Sequence, residues 1–146
     1  MSAAFTTHRR VEFRDTDAAG IAHFSAFFPW MESAEHELLR SIGVALIEPL
    51  PDDPAGHAQL SWPRVAASCD YTGAVRFGDE LDVAVTVEAL GRTSVTYAFH
   101  FTHAGRDVAH GRVVAVRCVL RADRRPEPVP IPDDVATRLG RFRGPA

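Results

Sequence analysis

The chain has 146 residues, 46% of them hydrophobic, which suits one compact domain (residues 1–146) and leaves no room for a second, because domains run ~100 to 150 residues. A formal net charge of −3 with scattered basic residues supplies no positive stripe, so nucleic acid is excluded as an expected partner. Residues 1–14 turn polar within a few positions and include His8, Arg9 and Arg10, which argues against a signal peptide or membrane span and leads to the expectation of a cytoplasmic protein with no membrane partner.

Residues 5–13 read as a first strand, with Val11 and Phe13 on one face and Glu12 and Arg14 on the other. The pattern then breaks into an Asp-, Ala- and Gly-rich loop over residues 14–22, the composition of an ordered turn held by side-chain to backbone bonds. From about 24 to 42, Phe27, Trp30, Met31, Ala34, Leu38 and Ile42 recur at three- and four-residue steps, which predicts the one long helix. Ser25 is the expected cap, Pro29 must lie in the first turn, and Gly43 suits a left-handed stop.

Pro49, Pro51, Pro54, Gly56 and Pro63 predict a connecting loop over residues 48–63. Strand-like runs follow at 64–71, 81–90, 94–103 and 108–120, separated by Gly78-Asp79, Gly91-Arg92 and Ala104-Gly105-Arg106. Leu81, Val83, Val85 and Val87 alternate with polar residues, as do Val95, Tyr97, Phe99 and Phe101, so the meander has one apolar face. That face must be buried, and the predicted helix is long and amphipathic enough to do it. The expected fold class is α+β, an antiparallel sheet wrapped around one central helix. A Pro-rich extension over about 124–146 leaves the sheet, and residues 133–139 suit a short helix. Cys69 and Cys118 lie in strand-like runs without Cys-x-x-Cys spacing, as buried free thiols would.

The chemistry concentrates in the loop before the helix. Asp15 and Asp17 frame it, and Ala18-Ala19-Gly20 allow a ligand to approach closely. An Asx-type turn is one use of such a carboxylate. A catalytic use is another: the unpaired N–H groups at the helix start, near Phe24, suit a carbonyl oxygen on which negative charge develops. A carboxylate beside such a site suits thioester cleavage, either by direct attack on the acyl carbon or by deprotonating a water.

The run Val11-Glu-Phe-Arg-Asp-Thr-Asp-Ala-Ala-Gly-Ile-Ala-His-Phe-Ser-Ala-Phe-Phe-Pro-Trp-Met-Glu resembles the opening signature of the 4-hydroxybenzoyl-CoA thioesterase-like hotdog proteins. Phe77-Gly-Asp-Glu-Leu-Asp-Val and Arg92-Thr-Ser match the starts of that family's later strands. The resemblance implies a hotdog fold, an acyl-CoA thioesterase acting on an aromatic or short- to medium-chain acyl group, no cofactor beyond the CoA of the substrate, and a homodimer or homotetramer with sites shared between subunits. It places the catalytic carboxylate on Asp17, the polarising backbone N–H on Phe24, with Gly20 in the same loop, and CoA contacts on Arg92, Thr93 and Ser94. Phe27 and Trp30 become candidates to line the acyl pocket. His23-Phe24 stands where many relatives carry Tyr-His, so His23 does not inherit that histidine's role; it remains a candidate substrate contact, and Phe24 leans toward an apolar or aromatic acyl group.

Arg76, Arg121, Arg124 and Arg125 are further possible phosphate partners. His36, His57, His100, His103 and His110 show no spacing that predicts a metal site, and no metal is expected. Ser68 and Ser94 lack a Gly-x-Ser-x-Gly context. The alternative to an enzyme is a non-catalytic acyl-CoA-binding hotdog module, in which Asp17 is structural.

Overall fold

The computed structural model describes residues 4–53 and 55–144. In chain order it contains β1 (Phe5–Arg10), α1 (Phe27–Ser41), β2 (Glu48–Pro49), β3 (Ala58–Ser61), β4 (Arg64–Tyr71), β5 (Glu80–Leu90), β6 (Ser94–His103), β7 (Arg106–Val116), β8 (Cys118–Arg121), β9 (Glu127–Pro128) and α2 (Asp133–Leu139). Short 3₁₀ turns occupy Phe13–Asp15, Phe24–Ala26 and Gly140–Phe142.

Five antiparallel strands form the main sheet in the order β1-β5-β6-β7-β4. The expected alternation holds along β5 and β6: Leu81, Val83, Val85, Val87, Val95, Tyr97, Phe99 and Phe101 are all essentially inaccessible. The buried stripe of α1, namely Phe27, Trp30, Met31, Ala34, Leu38 and Leu39, belongs to the same core cluster. Each large side chain in that layer contributes roughly 1.5–3 kcal/mol of transfer free energy. Helix and sheet approach closely at Gly111, where a Cβ would occupy the position of the Met31 thioether.

Several boundaries differ from the sequence pattern. β1 ends at Arg10, and Phe13 is 78% exposed rather than sharing a face with the fully buried Val11. The reason is local: Val11 bonds Asp79 and Gly78 through its backbone, and the Glu12 N–H then donates to Asp15 Oδ2 at 2.8 Å, curling the chain into a 3₁₀ turn. At the helix start the cap is His23 rather than Ser25, because His23 Nδ1 accepts from the Ser25 N–H at 3.2 Å. Pro29 lies in the first turn of α1. At the other end Gly43 has φ +71°, and Val44 N–H and Gly43 N–H close back on Leu39 and Arg40, a Schellman arrangement.

The region 48–63 is not only a connection. β2 and β3 pair with each other, and β3 pairs with β8 in a second, four-stranded sheet completed by β9. The single strand expected over 108–120 is accordingly split at Arg117, whose N–H donates to the Thr93 carbonyl, while β8 leaves for the second sheet. The Pro-rich segment then returns to the core through Ile131 and Leu139, and Arg138 Nη1 donates to the Ile42 carbonyl at 3.1 Å. Cys118 is buried and Cys69 only half-buried; both are free thiols.

Among the described residues, one charge lies inside this core. Glu35 on α1 is 1% exposed, and Arg64 on β4 reaches it with a guanidinium that also contacts His36 Nε2 at 3.0 Å. Burial holds the Glu35 carboxyl above its ordinary range against the opposing charge of Arg64.

Candidate active site

The loop before α1 is a miniature hairpin. Asp17 N–H donates to the Ile21 carbonyl at 2.9 Å and His23 N–H to the Asp15 carbonyl at 2.7 Å, so residues 15–17 and 21–23 pair across a turn. Gly20 closes the turn with φ +81°, a conformation that disfavours a side chain, and its N–H donates to the Asp17 carbonyl. Ala22 N–H bonds the Val75 carbonyl and Ile21 bridges to Arg76, which docks the loop on the segment leading into β5. Arg76 is exposed, and its guanidinium lies beside Gly20.

Within that loop the Asp17 carboxylate is half-buried. Its Oδ1 accepts the Ala19 N–H at 2.8 Å, while Oδ2 has no hydrogen-bond partner among the described residues. The Asx contact therefore exists, and it uses only one of two oxygens. The free oxygen retains the lone pairs that a base or nucleophile needs.

Phe24 opens the 3₁₀ turn that leads into α1, and its N–H has no partner among the described residues. Its carbonyl accepts the Tyr71 hydroxyl at 2.7 Å, a bond that ties the helix entry to β4. The His23 ring stacks on the Phe24 ring, with centroids 4.5 Å apart. Its Nδ1 is engaged by Ser25, which leaves Nε2 as the free ring nitrogen. The Phe24 ring itself is 63% exposed. A free carboxylate oxygen, a free backbone N–H at a helix start and an exposed aromatic ring thus belong to one short loop. Such a set can polarise a carbonyl and deliver a nucleophile to it.

The model of the thioesterase-like superfamily matches residues 11–139, most of the chain. The chain belongs to that superfamily. The 1,4-dihydroxy-2-naphthoyl-CoA hydrolase of Synechococcus sp. (strain RCC307) is 34% identical over 120 residues, 82% of this chain and 90% of the relative. A solved gentisyl-coenzyme A thioesterase is 27% identical with a TM-score of 0.75, over 92% of this chain and 99% of that one. The 1,4-dihydroxy-2-naphthoyl-CoA thioesterase from Synechocystis superposes with a TM-score of 0.76 at 23% identity, over 94% of this chain and 96% of that one, a likeness of fold. The antiparallel sheet around a long helix is the hotdog arrangement of these thioesterases.

The remaining predicted site residues of this thioesterase-superfamily chain fall in two places. Phe27 and Trp30 lie under the loop as core residues, Phe27 meeting Trp30, Tyr71 and Phe101 edge-on at 5.0–5.2 Å. Arg92, Thr93 and Ser94 form the β5–β6 hairpin turn, whose carbonyls at Arg92 and Thr93 accept from Ile131 and Arg117. That turn is at the opposite end of β5 from the Asp17 loop, since Arg10 pairs with Glu80 and β5 then runs 11 residues to Leu90, roughly 33 Å of extended chain. Within one chain the structure does not bring them together. Tyr71 is the neighbour that sequence reasoning missed, because 47 residues separate it from Phe24 and nothing in a strand pattern marks such a contact.

The loop gathers no trio of metal-ligating side chains among the described residues. The one such trio, His100, Asp107 and His110, lies on the main sheet.

Proposed function

We propose that the chain hydrolyses an aryl thioester of coenzyme A, with the Asp17 carboxylate as the reacting group and the Phe24 N–H as donor to the thioester oxygen. The observation that carries this reading is the free Asp17 Oδ2 in the same loop as the unpaired Phe24 N–H. The aromatic acyl class is supported by the naphthoyl and gentisyl substrates in the names of the relatives, and by the exposed Phe24 ring with His23 stacked on it.

The acyl carbon acquires an oxygen, the C–S bond breaks, and the sulfur leaves as CoA thiol after taking up a proton. Two routes use the same residues. In one, Asp17 takes a proton from water as the water attacks, and that proton passes to the sulfur. In the other, Asp17 attacks to give a mixed anhydride that water then cleaves. In both, Phe24 N–H stabilises charge on the carbonyl oxygen. A single turnover in oxygen-18 water that carries label into the Asp17 carboxylate establishes the anhydride route, since only water attack on the Asp17 carbonyl of an anhydride puts it there.

Arg76, beside Gly20, is a phosphate partner available within the same chain. Contacts from Arg92, Thr93 and Ser94 would instead come from a second subunit, given their distance along β5. A homodimer through β4 is supported by that strand's free edge: none of its residues is buried, and Val65 is 63% exposed. Two such dimers would make the homotetramer. No helix among the described residues is long and apolar enough to cross a membrane, and we place the activity in the cytoplasm, where free CoA thioesters are met, with no cofactor beyond substrate CoA.

The test is thiol release from a panel of aryl-, short-, medium- and long-chain acyl-CoAs by the wild type and Asp17→Asn. The expected result is fastest turnover of an aryl-CoA by the wild type, with kcat lowered by about 100-fold or more in the variant while binding persists. Equal turnover in the variant would sink the assignment of Asp17. Binding of acyl-CoA without thiol release would instead establish the non-catalytic binding module.

A further inference from the structure

On a regular strand, residues three apart point to opposite faces, so Asp107 and His110 should not meet. The β6–β7 register shows why they do. Phe101 pairs with Ala109 but Thr102 pairs with Asp107, so Val108 is an extra residue in β7. Val108 and Ala109 are both buried, and beyond this bulge Asp107 emerges on the outer face, away from α1. His100 on β6 stands directly opposite His110 on that face. A bulge that re-aims one side chain into a cluster is a device often found beside functional sites.

The three side chains present their donor atoms to one another. His100 Nε2 lies 2.6 Å from Asp107 Oδ1, and His110 Nε2 lies 4.0 Å from Asp107 Oδ2. The two imidazoles stack with centroids 4.4 Å apart and 14° between planes. All three ligand atoms fall within 4.8 Å of one another. In a tetrahedral site with bonds near 2.0–2.1 Å, ligand atoms are separated by roughly 3.3 Å, so the three atoms, already within 4.8 Å of one another, must converge only slightly to share an ion. His110 and Asp107 are exposed, which leaves their side chains room to turn toward a shared ion.

We propose that His100, Asp107 and His110 form a divalent-metal site of the zinc class on the outer face of the sheet. Two neutral imidazoles and one carboxylate are a donor set that favours zinc and its late first-row neighbours over calcium or magnesium. The charged groups around it suit a cation as well. Asp70 is the cross-strand partner of His110, and Asp82 lies in the adjacent row paired with His8. The nearby cation, Arg112, is held by Glu88 at 2.8 Å. A groove of about 450 Å³ opens over both rings, which leaves a coordination position for water or an anionic ligand. The sheet itself separates this site from α1.

Tag-free protein titrated with Zn²⁺ by calorimetry, and with Co²⁺ by visible absorption, tests the assignment. The expected result is one equivalent per chain, with affinity lowered roughly tenfold or more by His100→Ala or His110→Ala and less by Asp107→Asn. The cobalt spectrum should show ligand-field bands without thiolate charge transfer. Since these side chains lie outside the core, unfolding temperature and thiol release should match the wild type in every metal-free variant. Absence of uptake by the wild type, equal uptake by His100→Ala/His110→Ala, or a thiolate band placing the ion at a cysteine would each overturn the proposal.

Discussion

Replacing Arg64 with Met would leave Glu35 in the core without the one cation that opposes its burial. Glu35 is 1% exposed, its Oε1 already lacks a partner, and its Oε2 is held only by Arg64. Removing one member of a buried pair costs about 3–5 kcal/mol. Arg64 is 25% exposed in its side chain, so screening places this pair toward the lower end, about 3 kcal/mol. For a domain of this size that corresponds to a fall in Tm of about 10 °C. The effect must depend on pH, and its sign follows from the direction of the shift. Burial raises the folded-state pKa of Glu35 above its unfolded value, so its favourable contribution is full below the unfolded pKa and is lost as pH rises through the folded one. Loss of Arg64 raises the folded value further, so the gap between variant and wild type is widest at pH 8 and narrows toward pH 5. His36, held below its ordinary value by burial and by Arg64, acts in the same direction, because the variant relieves that depression at acidic pH. Denaturant unfolding at both pH values and one fixed protein concentration measures the gap. Glu35→Gln in the Arg64→Met background should recover most of the loss at pH 8. A gap that is the same at both pH values, or a single variant within about 0.5 kcal/mol of wild type at pH 8, would refute the reasoning.

Two further outcomes test the packing and the loop. Gly111→Ala places a methyl where the Met31 thioether sits, so it should destabilise by about 1–3 kcal/mol; Met31→Ala in that background should cost less than in the wild type, as read by denaturant midpoint. Tyr71→Phe removes the 2.7 Å bond to the Phe24 carbonyl, worth about 1 kcal/mol, and should lower kcat about fivefold with KM little changed if that bond positions the Phe24 backbone for the reaction. An unchanged kcat would show that the helix entry holds its geometry without β4.

The chain's local patterns determined much of the protein. Period-two burial along β5 and β6 and the three-and-four spacing of α1 need only nearest neighbours, and both are present in the structure at close to their expected bounds. The loop of Asp15, Asp17 and Gly20 was legible for the same reason: its turn is built from residues within a few positions of each other. What depended on long-range pairing was hidden. Phe13 turned outward because Val11 bonds Asp79, and the second sheet formed because β8 left β7 to meet β3. Tyr71 reached Phe24 across 47 residues, and one extra residue in β7 brought Asp107 to the histidines. A residue's face and secondary structure follow from local sterics and hydropathy, which the sequence carries at each position; register, bulges and the ends of sheets are decided by which distant backbone groups must pair once the core has closed, and only the assembled fold settles that.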